Sequence, residues 1–393
     1  MSIDNQRQKE ISQRGMVKRR TAEIVGAGFA GLAAACALAQ RGWLVRVHER
    51  ARELRTTGAG IYVYENGLRV LEALGAYTDA VSDAPIANMR EVRDDHNRVI
   101  SFHRWDNSAR VFSVVRQQVI NALASAARRH GVQVLTDSEA VAATPTGTLA
   151  FADGAQTQTD LIVAADGTNS RLRDSLGLLA RRKLLADGAI RLLVDKTVEE
   201  RNSAEPGKTI EYWSGKRRVL YTPCSKDQIY VALTMLDNDE VAKAVPLRKV
   251  EWKISFPHLA DLIDRLDGDG RYDRFELIKL KRWSSGKVAV IGDAAHALPP
   301  NIGQGAGCGM MNGLSLAVFL DRFEDPSLAL TNWELQERPL TDHTQRVSYF
   351  LGLPTAWPPA VRAFFFKGSS RSKWMVRQRT MTARHKPTGT EDL

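Results

Sequence analysis

The sequence predicts an α/β fold with an inserted antiparallel sheet and a helical C-terminus. Three observations carry that prediction. Apolar, strand-length runs at Thr21–Val25, Leu161–Ala165 and Lys287–Ile291 each lead into a glycine-bearing loop. Between about 188 and 280 the pattern changes to short β-rich runs separated by polar turns, which reads as an antiparallel sheet. From Ala306 to Leu320 a small-residue apolar segment is long enough for several helical turns, and the chain reads as mostly helical from there to its end.

The 393 residues suffice for a large core and suggest two or three domains. A hydrophobic content of 44% with 25% charged residues is ordinary for a soluble globular chain. No apolar run approaches the length of a membrane-spanning helix, so no integral membrane association is expected. Residues 1–20 are polar and lack the apolar core of a secretory signal; they read as a tail before the first strand. Cys36, Cys224 and Cys308 are too few and too scattered for a disulfide framework, which fits a reduced, cytoplasmic protein. The net charge of +10 is spread along the chain, and no nucleic-acid motif accompanies it. The basic stretch 367–386 reads as a solvated tail or helix face. The positive field as a whole favours small anionic substrates and a phosphorylated cofactor.

Taken in order, the strand Thr21–Val25 runs straight into Gly26-Ala27-Gly28-Phe29-Ala30-Gly31. A helix to Gln40 and a second strand, Trp43 to Glu49, follow. This is the dinucleotide fingerprint in its proper context. Gly26 makes the tight turn, Gly28 lets a pyrophosphate approach the backbone, and Gly31 lets the helix pack on the strand. Phe29 and Ala30 belong to the same cradle. Glu49 stands where a carboxylate accepts ribose hydroxyls, with Arg50 beside it. Glycines in Thr57–Tyr62 suggest backbone passing near a ligand, and 67–74 reads as a helix. Residues 91–105 form a hairpin around Asp94-Asp95-His96-Asn97. Arg116 opens a helix over 117–130, either as a surface arginine or as a contact to phosphate or ribityl. Short strands follow at 133–135 and 149–151.

Asp166-Gly167 closes the buried run 161–165, with Ser170, Arg171 and Arg173 at the next helix start. That is where open α/β sheets bind ligands. The insert carries strands at 189–194, 218–221 and 229–233, and a helix over 251–266 with Leu259, Leu262 and Leu266 as its apolar stripe. Arg191 and Arg218 sit in apolar strands and need partners: an ion pair within the protein, or a substrate carboxylate. Tyr62 and Tyr230 are either packing residues or partners for a phenolic oxygen. After the third buried run come Gly292-Asp293, then Pro299-Pro300 and Gly303-Gln304-Gly305 at a helix start. Such a helix end offers N–H groups to an anion. His296 reads as a structural histidine of that turn. No metal-ligand cluster and no Ser-His-Asp order stands out. The pattern divides the chain into a discontinuous nucleotide-binding domain (21–80, 106–180, 281–335), a substrate-binding domain (81–105, 181–280) and a C-terminal helical region (336–393).

The three motifs together, over residues 24 to 305, resemble the single-component FAD-dependent aromatic monooxygenases, the para-hydroxybenzoate hydroxylase-like family. Within it the likeness is to the 3-hydroxy-2-methylpyridine-5-carboxylate monooxygenase branch, through Ala22–Leu32, Gly58–Tyr62, Ile190–Leu192, Arg218–Cys224 and Gly303–Asn312. The resemblance implies a Rossmann-like FAD-binding domain and FAD as cofactor. NADH or NADPH is the expected cosubstrate, and O2 is activated at a flavin C4a-hydroperoxide. It implies that Gly26, Gly28, Gly31 and Glu49 hold the ADP half. Asp166, Gly167, Arg173 and Arg116 adjoin the cofactor. Gly292 and Asp293 hold the ribityl chain. Pro299, Pro300, Gly303, Gln304 and Gly305 lie beside the flavin ring. Tyr62, Arg191, Arg218 and Tyr230 become candidates for the substrate pocket. The expected substrate is a hydroxylated aromatic acid, foremost a hydroxypyridine carboxylate, with a salicylate, hydroxybenzoate or hydroxynicotinate as alternative. A flavin-binding sensor and a flavin-free Rossmann dehydrogenase are the competing readings. A homodimer or homotetramer is compatible with the likeness. The sequence departs from the branch at 81–90, which lacks the expected aromatic residue, and at 300–303.

Overall fold

The computed structural model describes residues 19–54, 59–105, 109–267 and 270–393. Most of the N-terminal tail, with Thr57 and Gly58 of the glycine-bearing stretch, lies outside the described residues.

A six-stranded sheet forms the base. Its order is Ser284–Ser285, Val288–Val290, Leu161–Ala164, Thr21–Val25, Leu44–His48 and Gln133–Leu135. All neighbours pair in parallel except the first two. The inner strands are buried along nearly their whole length, which is why they appear as unbroken apolar runs. The helices Phe29–Gln40, Arg116–Arg129 and Gly305–Arg322 join the core that covers this sheet. Phe29–Gln40 and Gly305–Arg322 meet at backbone distance. A side chain at Gly313 would stand 2.8 Å from the Ala30 carbonyl oxygen, so only glycine allows that approach. A three-stranded sheet, Ala140–Ala143, Thr148–Phe151 and Gln156–Gln158, adds Ala140, Ala143 and Leu149 to the same core.

The second large sheet has seven strands, in the order Tyr272–Leu280, Leu179–Asp195, Gln228–Leu236, Arg217–Pro223, Lys208–Ser214, Met89–Arg93 and Val99–Arg104. It is antiparallel except where Lys208–Ser214 meets Met89–Arg93. Alternation sorts its side chains onto two faces. Ile190, Leu192, Val219, Val231 and Leu233 pack on one side against Trp252, Phe256 and Ile263. Arg90, Glu211, Arg218, Thr222 and Tyr230 occupy the other positions of the alternation. A two-stranded ladder, Gly60–Tyr64 with Val111–Val115, connects this face to the parallel-sheet half. A side chain at Gly60 would come 2.6 Å from the Cβ of Tyr230.

Two expectations need correction. Residues 251–266 do not form one helix: Lys249–Ser255 and Ala260–Asp264 are separated by a 3-10 turn. Pro257 imposes the break, because the residue before a proline is driven out of the helical region; Phe256 sits at φ −137° and ψ 70°. The strand around 189–194 runs from Leu179 to Asp195, and its sheet also contains the unforeseen strands Lys208–Ser214 and Tyr272–Leu280. Their alternating charged residues mask the apolar signal. From Gly305 the chain is mostly helical, as expected. Past the Lys373–Thr380 helix and its closing turn, residues 385–393 run as coil and turns, tied down by Thr388 Oγ1 donating to Glu337 at 2.8 Å. Among the described residues no helix is long and apolar enough to cross a membrane. Cys36, Cys224 and Cys308 are buried free thiols.

Candidate active site

The three glycine-bearing loops leave the ends of adjacent strands and touch one another. Gly26 has φ +102°, and a side chain there would stand 2.3 Å from the Ala165 carbonyl oxygen, so the first loop lies on the second. A side chain at Gly31 would lie 2.0 Å from the Gly26 oxygen. Gly292, at φ +62°, approaches Ala30 and joins the third loop to the first. Arg173 ties the second loop to the third: its Nη1 donates to the Thr168 carbonyl at 3.0 Å and the Ala294 carbonyl at 3.3 Å. Arg173 was expected to face the cofactor. Its side chain has no exposed surface at all, so it braces the cradle from within. Asp166 accepts from Ser170 Oγ at 2.5 Å and from the Leu172 N–H at 3.3 Å, and so fixes the turn through Gly167. Burial raises its pKa, and those hydrogen bonds oppose the rise.

Gly167 stands open in this packed region, and so do two positions at helix starts. Nothing lies within 4 Å of a side chain built at Gly28 or at Gly305. Each adjoins a helix start with unsatisfied N–H groups, at Phe29 and at Gly305 itself. Glu49 lies beside the first opening and accepts from the Ala27 N–H and the Ala51 N–H, both at 3.0 Å. Arg50 follows it on the surface. Beneath them is a network that sequence patterning did not reveal. Glu23 is buried and pairs with Arg46 and with His48, whose Nε2 is 2.7 Å away.

Asp293 is open to the cleft while protein surrounds it at longer range. That enclosure raises its pKa, and Arg116 opposes the rise. Arg116 stacks 4.8 Å over the Phe29 ring, and its Nε is buried without a partner. Beyond them the proline loop is bolted to the long helix Pro326–Gly352. Ser348 Oγ donates to the Pro299 carbonyl at 2.5 Å, and Asn301 Nδ2 donates to the Ser348 carbonyl at 2.9 Å. Pro300 is exposed on the loop. Gly303 takes the left-handed conformation, φ +63°, against Tyr64. Gln304 is buried; its Oε1 accepts from Asn66 Nδ2 at 2.9 Å, and its Nε2 has no partner. His296 is a buried structural residue. Its Nε2 accepts from Asn312 Nδ2 at 2.9 Å, and burial pushes its pKa down to about 4.

These features fit FAD. Open backbone at Gly28 suits a pyrophosphate, and Glu49 keeps lone pairs for a ribose. Asp293 and the orphaned Arg116 Nε line the intervening cleft, and an open helix end at Gly305 waits at its far side.

The substrate candidates do not form one cluster. Arg191 belongs to the cleft: it pairs with Asp273 at 3.4 Å and acts on both Asp293 and Arg116. Tyr230 packs on Gly60 and also faces Arg116. Tyr62 donates to or accepts from Thr222 Oγ1 at 2.7 Å, and burial raises its pKa so that it stays protonated. Arg218 lies elsewhere, with Nη1 on Glu211 at 3.2 Å and Nη2 on Thr234 at 3.3 Å. Glu211 also holds Arg90. Burial alone would raise the Glu211 pKa; Arg90 and Arg218 together hold it at about 2. A pocket beside this triad is lined by Arg90, Glu211, Trp213, Arg218, Asn301 and Arg379. Asn301 brings it next to the proline loop. Arg90, Glu211, Asn301 and Arg379 escaped sequence reasoning. Only the alternation of Thr209, Glu211 and Trp213 in Lys208–Ser214 hinted at a polar inner face.

A family model described as an FAD binding domain matches residues 19–324. A putative 2-heptyl-3-hydroxy-4(1H)-quinolone synthase of Rhodococcus erythropolis is 40% identical over 370 residues, covering 94% of this chain and 97% of that protein. A 2-heptyl-3-hydroxy-4(1H)-quinolone synthase of Mycobacteroides abscessus is 42% identical over 359 residues, covering 90% and 95%. The tetrameric form of 2-methyl-3-hydroxypyridine-5-carboxylic acid oxygenase superposes with a TM-score of 0.86 at 38% identity, covering 94% of this chain and 97% of that one. The chain therefore belongs to the para-hydroxybenzoate hydroxylase-like family and is an FAD-dependent aromatic-ring monooxygenase.

Proposed function

We propose that this monooxygenase acts on an oxygen-bearing nitrogen heteroaromatic, in the first place a hydroxypyridine carboxylate, with NADH or NADPH as electron source. The observation that supports the reading is charge. Arg90, Arg218 and Arg379 line the pocket beside the proline loop, and Glu211 is their counter-charge there. An acidic ring restores the balance that burial of guanidinium groups demands. When bound, FAD supplies the redox chemistry and the activated oxygen. The protein's part is positioning and exclusion. The open helix end at Gly305 offers N–H groups and a positive dipole to negative charge on the cofactor. Pro299 and Pro300 present no N–H to the oxygen side. Tyr62, kept protonated, is a hydrogen-bond donor at its Oη. In this reading 21–80, 106–180 and 281–335 hold the cofactor, 81–105 and 181–280 hold the ring, and 336–393 closes the pocket. The assembly is a homodimer or homotetramer.

A second form of the substrate, a 4-quinolone with an apolar chain, draws support from the two quinolone-synthase relatives and from Phe102, Leu351 and Phe366 in the pocket lining. The test is NADH and NADPH oxidation by the FAD-loaded protein, with product mass measured. Hydroxypyridine carboxylates and 2-alkyl-4-quinolones are supplied side by side. Stimulation with gain of one oxygen atom by the acids supports the first form. Turnover of quinolones alone selects the second. No stimulation by either class overturns both.

A further inference from the structure

Arg379 is the one pocket-lining guanidinium carried by the C-terminal helix Lys373–Thr380. Among the described residues it makes no hydrogen bond or ion pair. It is nevertheless enclosed: burial lowers its pKa to about 10, and the neighbouring Arg90 adds to that effect. The carboxylate within its field, Glu211, is already shared by Arg90 and Arg218. Arg218 has both terminal nitrogens occupied, by Glu211 and Thr234. Arg191 pairs with Asp273 in the cleft. Arg379 is therefore the cation in this pocket with its donors unspent and no counter-ion of its own. A planar guanidinium in that condition suits a carboxylate, which it binds through two parallel hydrogen bonds. Ser369 and Ser370, at the end of the preceding helix Pro359–Arg371, line the same wall, their hydroxyls donating to the Phe366 and Lys367 carbonyls at 3.2 and 3.1 Å.

We infer that Arg379 is a specificity-determining residue: with Arg90 it holds the carboxylate of an aromatic acid, so that the C-terminal helix selects the substrate. This rests on the pocket being the ring site of the monooxygenase, and it adds a residue from outside the strand-borne candidates. Loss of Arg379 strands no protein partner, so its removal leaves the fold and the flavin in place.

The experiment is binding of benzoate and of benzamide to the FAD-loaded protein, followed by the perturbation of the flavin absorbance. The wild type is expected to bind benzoate at least tenfold more tightly than benzamide. Arg379→Gln is expected to raise the benzoate Kd at least tenfold and leave the benzamide Kd within twofold, with FAD content unchanged. Arg379→Lys keeps part of the preference. A wild type without preference for the acid, or a Gln variant that keeps the preference or loses both ligands equally, overturns the inference. Acid selectivity that vanishes in Arg379→Gln, in a protein that oxygenates no ring, leaves the subsite standing and removes the monooxygenase substrate reading. Turnover of neutral rings alone, without benzoate preference, overturns the subsite and selects the quinolone form of the monooxygenase reading.

Discussion

The two halves of the site are built by opposite means. On the cofactor side, backbone meets backbone: Gly26 on Ala165, Gly31 on Gly26, Gly313 on Ala30. On the ring side, long charged side chains from separate strands meet over Glu211. The first kind of contact depends on the absence of a side chain and tolerates no atom more. The second depends on charge balance and tolerates no charge less. Under the proposed function, steric closeness would fix where the cofactor lies, and electrostatics what lies opposite it.

Removing a charge tests the ring side most severely. Glu211→Gln leaves Arg90 and Arg218 enclosed without a counter-ion and should cost about 3–5 kcal/mol, read as a lower denaturation midpoint. A loss below about 1 kcal/mol would mean that solvent already screens the triad. Adding atoms tests the cofactor side. Gly31→Val forces a side chain onto the Gly26 carbonyl and should cost about 3 kcal/mol together with the flavin. Gly28→Ala is the control from the same motif. Its side chain meets open space, so stability should hold within about 0.5 kcal/mol while FAD binding weakens. Equal damage from both variants would dissolve the contrast between packed and open glycines.

Asp293 belongs to neither extreme, being a charged side chain set in the backbone cradle. Asp293→Ala should lower FAD retention by about tenfold or more without lowering the stability of the FAD-free protein. Unchanged flavin absorbance would move the ribityl contact elsewhere. The smallest effect comes from His296. Its pKa is held at about 4 in the fold, below the ordinary value of 6.5. Between those values the unfolded chain binds a proton that the folded chain does not. Stability must therefore fall as pH drops through 6.5 toward 4. The expected loss is about 1 kcal/mol between pH 7 and pH 5.5, and it should be absent in His296→Gln. The same slope in both proteins would assign it to another group.

The contrast also explains what could be read beforehand. Gly26, Gly31, Gly292 and Gly303 carry geometric demands that only glycine meets, so their spacing announces the cradle in one dimension. Glu49 and Asp293 are legible because they sit at fixed offsets from strand ends. Arg90, Glu211 and Arg379 have no such grammar. They come from 90, 211 and 379 in the chain, and an arginine in a strand looks the same whether it meets a ligand or an acid. Arg191 and Arg218 look equivalent in sequence, yet the sheet sends one to the cleft and the other to the pocket. Arg173 looks like a ligand contact and is a brace. The break at Pro257 was legible in principle, since proline forbids the helix that the leucine stripe suggests.

The bolting of the proline loop to the long C-terminal helix has a further consequence. Ser348 holds Pro299 and Asn301, and Gln345 donates to the carbonyls of Ala297 and Ile278 at 3.0 and 2.7 Å. One helix thus holds the proline loop, while the segment that follows it supplies Arg379 to the pocket beside that loop. Exchanges at Arg379 itself would alter the charge of the pocket while leaving Ser348, Gln345 and the loop they hold in place. The tail is also anchored to the cofactor half: the Asn66 N–H donates to the Ala383 carbonyl at 3.2 Å, and Gly389 packs on Val318 of the helix Gly305–Arg322.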